Sequence, residues 1–136
     1  MKVILFLSLF CFAFGVSAKC EYKYNSQGAK IGWKAFKTPE KAGVGGEFKD
    51  FSIMTSKASS IKDLLTQSAF SINTQSVVTG DKGRDGKIEN FFFSTMKLGT
   101  NITGLVKSAD SKSAEVLIRM NGNEKVIKMD YSYFNC

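Results

Sequence analysis

The chain has 136 residues, 43% of them hydrophobic, with 19 basic against 12 acidic side chains and a formal charge of +7. It contains no histidine, which removes the commonest general base and the commonest metal ligand together. The lysines are scattered instead of gathered into a stripe, which suits a solvated surface and not a nucleic-acid groove.

Residues 1–18 read as a cleavable export signal. Lys2 is the basic start, Val3 to Phe14 the apolar run, and Val16-Ser17-Ala18 the small-residue cleavage site. The run is too short for a membrane span of about 20 residues, and no other stretch is long enough. The expected mature protein is therefore residues 19–136, one domain without stable membrane insertion. Lys19 before Cys20 does not fit a lipoprotein signal. Cys20 and Cys136 remain after processing, and in an oxidising compartment an end-to-end disulfide between them is plausible.

Most of the remaining chain alternates with a period of two, the mark of half-buried antiparallel strands. Tyr22 and Tyr24 share one face, and Ile31, Trp33 and Ala35 another. Gly43-Val44-Gly45-Gly46 before Phe48 reads as a strand weakened by glycine, where a bulge or a tight bend is common. Ser59 to Leu65 has a capping serine and helical spacing, which predicts a short helix. Phe70, Ile72 and Thr74 alternate again. Gly86 to Met96, with Phe91-Phe92-Phe93, suits a short helix or a lid-like turn. Gly99 to Ser108 reads as a strand. Val116, Ile118 and Met120, then Ile127, Met129, Tyr131 and Tyr133, flank Asn121-Gly122, a pair suited to a type I′ hairpin. The sum is six or seven strands with one or two small helices: a mainly β barrel or sandwich.

Chemistry is thin. Asp81 to Phe92 lacks the third-position oxygen and the terminal glutamate of a calcium loop, and GVGGEF lacks the Lys-Ser/Thr of a phosphate loop. No cofactor or metal is expected, and no residue set marks an enzyme.

Two stretches carry a family likeness: IGWKAFKTPEKAGVGGEFKDF (31–51) and SAFSINTQSVVTGDKGRDGKIENFFF (68–93). The ordered features are Gly46/Phe48, Ile72/Thr74, Arg84-Asp85, Ile88 and Phe91-Phe92, followed by the hairpin MNGNEKVIKMDYSY. In these the sequence resembles the YceI-like family of bacterial periplasmic polyisoprenoid-binding proteins. That resemblance implies a lipocalin-like antiparallel β-barrel, periplasmic, holding an isoprenoid-like or other long-chain amphiphilic lipid in an apolar cavity. The family continues past this hairpin with further strands. The sequence ending at Cys136 therefore implies an incomplete reading frame or a shorter closure. An incomplete or open barrel would expose its apolar face at two edges and invite dimerisation, so both monomer and homodimer stay open.

If the apolar face is the barrel interior, alternation nominates Trp33, Phe48, Phe70, Ile72, Ile118, Met120, Met129 and Tyr131 as lining residues. Within the phenylalanine triplet, one ring packs inward while its neighbours, Phe92 foremost, close over ligand. Arg84 and Asp85 are then placed to meet a head group. The alternative is that they pair with each other to pin the loop while all three rings are core. Two other functions stay open. One is an interaction protein whose apolar face meets a partner chain; the other is a small lipid-acting enzyme using Asp85 and Glu89.

Overall fold

The computed structural model describes residues 19–36, 39 and 43–134. The expected signal segment 1–18 and Cys136 lie outside them. Cys20 is disulfide-bonded.

The described residues form eight strands: β1 (Ile31–Phe36), β2 (Gly43–Phe48), β3 (Phe51–Met54), β4 (Ala69–Asn73), β5 (Val77–Val78), β6 (Asn101–Ala109), β7 (Ser113–Met120) and β8 (Asn123–Asp130). Hydrogen bonding orders them β1-β2-β5 in one sheet and β3-β4-β6-β7-β8 in the other, every pairing antiparallel. The two sheets are one ribbon bent at a corner. β2 runs into β3 across Lys49-Asp50, and β4 runs into β5 across a short 3-10 turn, Thr74–Ser76. Phe48 pairs with Val77 and Phe51 with Ile72. Lys49 and Asp50 thus stand opposite the longer path from Asn73 to Ser76, and that unequal length turns the ribbon as a bulge does.

Hydrogen bonds fix the corner. The Lys49 N–H donates to the Ser76 carbonyl at 3.1 Å and the Asn73 N–H to the Asp50 carbonyl at 3.0 Å. The Asp50 N–H donates to Ser76 Oγ at 2.9 Å. Thr74, fully buried, gives both its N–H and its hydroxyl to the Thr100 carbonyl, tying the corner to the start of β6. Among the described residues the edge strands are β1 and β5 in one sheet and β3 and β8 in the other, so the curled sheet does not close on itself. It is an open lipocalin-like sheet and not a closed barrel.

The expected hairpin is present: Asn121 has φ 50° and Gly122 φ 76°, and Met120 pairs with Asn123. The short helix α1 (Ile61–Thr66) starts at Ser60, whose hydroxyl oxygen accepts from the Asp63 N–H. A second helix, α2 (Lys82–Lys87), is capped by Asp81 and passes into a π-helical turn (Ile88–Phe92) and a 3-10 turn (Phe93–Thr95). Four expectations are corrected. Tyr22–Tyr24 forms no strand, only a bridge from Tyr22 to Ala58. Phe51–Met54 is an extra strand, its signal shortened by the corner. β8 stops at Asp130, so Tyr131 and Tyr133 lie beyond it. The glycine-rich β2 keeps unbroken register with β1, and the bulge falls instead in β6, between Val106 and Ser108.

Of the β2 glycines, Gly46 is the one held most firmly by its surroundings. A Cβ there would lie 2.8 Å from the Val78 carbonyl oxygen and 3.0 Å from the Trp33 ring. Because the obstacle is backbone, Gly46→Ala is expected to cost about 1–3 kcal/mol in denaturant unfolding. Thr74→Val, which loses only the hydroxyl bond to Thr100, is expected to cost about 1 kcal/mol.

At the β6–β7 turn, Asp110 accepts from the Lys112 and Ser113 N–H groups at 2.8 and 2.7 Å and from the Ser113 hydroxyl at 2.9 Å. These donors, the backbone ones first, hold its carboxyl down at about 2, against an ordinary value of 3.8. A depressed carboxylate stabilises the fold fully above the unfolded value and loses that contribution as pH falls through the folded one. Acid titration followed by NMR is expected to show the Asp110 carboxyl titrating near 2. The acid sensitivity that this turn contributes below about pH 4 is expected to vanish in Asp110→Asn.

Candidate ligand-binding site

Strand alternation points one set of side chains into the curl. Ile53 and Phe70 lie on this inner face, as do Ile72 with its partner Ile102 on β6, and Ile118, Ile127 and Met129 on the last two strands. Together they line a trough of about 830 Å³ that reaches from Ile31 on β1 to Met129 on β8. Leu64 and Leu65 of α1 form part of its wall. The volume lies in the upper part of the roughly 300–1,000 Å³ range of small-molecule sites. Its polar groups are confined mostly to the segment before β1, where Lys23, Asn25 and Lys30 contribute to the lining.

The trough is not filled by the chain itself because of a glycine. Gly104, on β6 opposite Phe70, is buried and has the Phe70 ring lying against it: a Cβ would come within 2.2 Å of that ring. The ring therefore lies flat on the sheet and leaves the middle of the curl open.

Two further hollows adjoin. A groove of about 530 Å³ shares Ile118 and Ile127 with the trough and continues past Met96 and Met120 to Phe92. A pocket of about 270 Å³ shares Phe92 with the groove and is lined also by Trp33, Val44, Arg84 and Ile88. Shared walls thus link all three hollows in series, with Phe92 standing between the last two. The π-helical turn explains the unusual triplet. It leaves Phe91 and Phe92 77% and 62% exposed while Phe93 is 8% exposed, packed against Phe48 and edge-on to Phe92.

The nominated residues divide by place. Phe70, Ile72, Ile118 and Met129 line the trough, with Ile118 also lining the groove. Met120 lines the groove, Trp33 the pocket, and Phe92 both. Phe48 is core, packed with Ile72, Val77 and Phe93. Tyr131 packs beside Val106, Ala114 and Val116 and donates its hydroxyl to the Asp110 carbonyl. Neither is part of the three hollows. Arg84 contributes to the pocket lining. Asp85 braces the loop through Thr79, accepting from its N–H at 2.8 Å and its hydroxyl at 2.6 Å. Arg84 and Asp85 form no ion pair with each other, and of the three rings only Phe93 is core.

Sequence reasoning missed Ile31, Ile53, Leu64, Leu65, Ile102 and Ile127. Ile127 was visible in the same alternating run as Met129. The α1 leucines carry no alternation and are placed only by the packing of the helix. The buried indole nitrogen of Trp33 has no hydrogen-bond partner, an unspent donor in the wall region of the pocket. Among the described residues no group of three or more His, Cys, Asp or Glu side chains is arranged to hold a metal. No helix among them is long and apolar enough to cross a membrane.

Gly104→Ala is expected to lift the Phe70 ring off the sheet into the trough. Since a ring end can swing aside, stability should fall little while the trough narrows. Loss of apolar-probe fluorescence binding, with an almost unchanged unfolding midpoint, checks this.

No family model and no curated protein matches the sequence. Solved structures do. The Campylobacter jejuni YCEI protein, in a crystal form with large solvent channels, is similar at TM-score 0.51 and 21% identity, over 80% of this chain and 66% of that one. BcnA of Burkholderia cenocepacia is similar at TM-score 0.50 and 16% identity, over 62% of this chain and 56% of that one. The chain thus spans just over half of one relative and slightly under two-thirds of the other. At these identities what is shared is architecture: the chain has a YceI-like fold.

Proposed function

We propose that the protein is an exported, non-enzymatic carrier of a long apolar chain of isoprenoid or fatty type, held in the trough and extending along the linked hollows. The observation that supports this best is that the hollows share apolar residues, Ile118 and Ile127 between trough and groove and Phe92 between groove and pocket, while Asn123, Glu124 and Lys125 give the groove a polar side. A globular ligand needs one hollow, whereas hollows in series suit a flexible chain. Burial yields about 0.8 kcal/mol per methylene, so a dozen enclosed carbons supply on the order of 10 kcal/mol before ordering costs. The lysines at the trough's rim, Lys23 and Lys30, suit a polar or anionic head group. Arg84 suits a polar group at the opposite end of the series. The signal reading and the YceI-like fold both support a periplasmic location.

The test is organic extraction of protein exported and purified without detergent, with mass spectrometry of the extract. A long-chain amphiphile in stoichiometric amount is expected, and Ile118→Lys should lose it while keeping the circular dichroism of the parent. A bare extract from folded protein would remove the proposal. Phe92→Ala, which opens the groove to the pocket, is expected to shift the bound population toward longer chains.

A further inference from the structure

The outer face of the sheet carries a second apolar feature whose centre, Leu105, Leu117 and Val126, does not line the trough. Leu105 pairs with Leu117 and Leu117 with Val126, so the three form one line straight across β6, β7 and β8. The line continues through Ala69 to Met54 on β4 and β3. These side chains alternate with the inward Val106, Val116 and Ile127, and so point away from the trough. Leu105 and Val126 are each 49% exposed and Met54 is 60% exposed. An apolar line of this kind on a sheet's solvent face is unusual, since that face is ordinarily polar.

The charges around it say what covers it. Two residues from Leu117 along β7 stand Glu115 on one side and Arg119 on the other; two residues from Val126 along β8 stand Lys128 and Glu124. Register pairs Arg119 with Glu124 and Glu115 with Lys128. The four charges thus form a checkerboard centred on the apolar line, with an Arg119–Glu124 ion pair in one half. A two-fold axis laid along the line exchanges its two sides while keeping each strand over its own copy. Under that operation Arg119 meets the second copy's Glu115, and Glu124 meets the second copy's Lys128. Leu105, Leu117 and Val126 each meet themselves. Each of these three apolar groups finds an apolar group and each of these four charges its opposite, which is the self-complementarity that a two-fold interface requires.

We propose that this outer face is a homodimer interface, two sheets packed face to face about the line Leu105–Leu117–Val126. Aligned packing of two sheets, about 10 Å apart, accommodates such an axis. The interface leaves both troughs open, because neither the three central apolar residues nor the four charges line the trough, although Glu124 also borders the groove.

The test is sedimentation equilibrium of the full processed chain and of charge-reversed variants. The pair Arg119→Glu with Glu124→Arg preserves the ion pair within each chain but sets like charges against the second copy's Glu115 and Lys128. Wild type is expected to be dimeric. The double variant should be at least about tenfold weaker in association, and adding Glu115→Lys with Lys128→Glu should restore the dimer. Should the double variant fail circular dichroism as a folded protein, Leu117→Thr with Val126→Thr is expected to give a folded monomer. A monomeric wild type would overturn the proposal. So would a dimer indifferent to both variants, which would place the contact at β1 or β8, and so would wild-type monomer that floats with phosphatidylglycerol vesicles.

Discussion

The corner where β2 becomes β3 and β4 becomes β5 is the constraint on which the hollow interior depends. A flat six-pass sheet would have one face to bury and nothing to bury it against. Bending the ribbon at Lys49-Asp50 and Thr74–Ser76 turns that face on itself. The bend exposes backbone groups that a straight ladder would have paired, and Ser76, Asp50 and Asn73 satisfy them. Thr74 locks the result to β6 from a fully buried position. The trough, the groove and the pocket are what the bend encloses.

A curl can be filled or left open, and here two glycines decide different parts of that question. Gly46 lets Trp33 lie against β2, and Gly104 lets Phe70 lie against β6. Both aromatic rings are thereby held close to the sheet. Large side chains thus give the walls their apolar character without occupying the space between them. The core that does close, around Phe48, Ile72, Val77 and Phe93, sits at the corner, beside the Phe48–Val77 and Phe51–Ile72 pairs.

Much of this was legible in the residues. Alternation gave β1, β4, β7 and most of β8, and Asn121-Gly122 gave the hairpin, because both signals are local. Phe51–Met54 was hidden because a corner interrupts the run before a period of two can establish itself. The extent of β8 was overestimated because Tyr131 and Tyr133 continue the alternation. Their rings stack on each other beyond the strand end, and Tyr131 packs back against Val106, Ala114 and Val116 without itself being in a strand. For the site, inward-facing aliphatics were readable as a class, but alternation cannot distinguish a ring in the core, such as Phe48, from one on a cavity wall, such as Phe70. That distinction depends on which residue lies across the sheet, Gly104 in the case of Phe70. The outer line of Leu105, Leu117 and Val126 was invisible for a related reason, since it exists only once three strands are in register.

The central claim is that the inward face, and not the outward one, receives an apolar chain. Isotope-filtered NOE spectroscopy on methyl-labelled protein with a bound unlabelled prenyl chain measures this directly. The account expects contacts from chain protons to the methyl groups of Ile53, Ile118 and Ile127. Contacts confined to Leu105, Leu117 and Val126, or none at all at saturating prenyl chain, would contradict it.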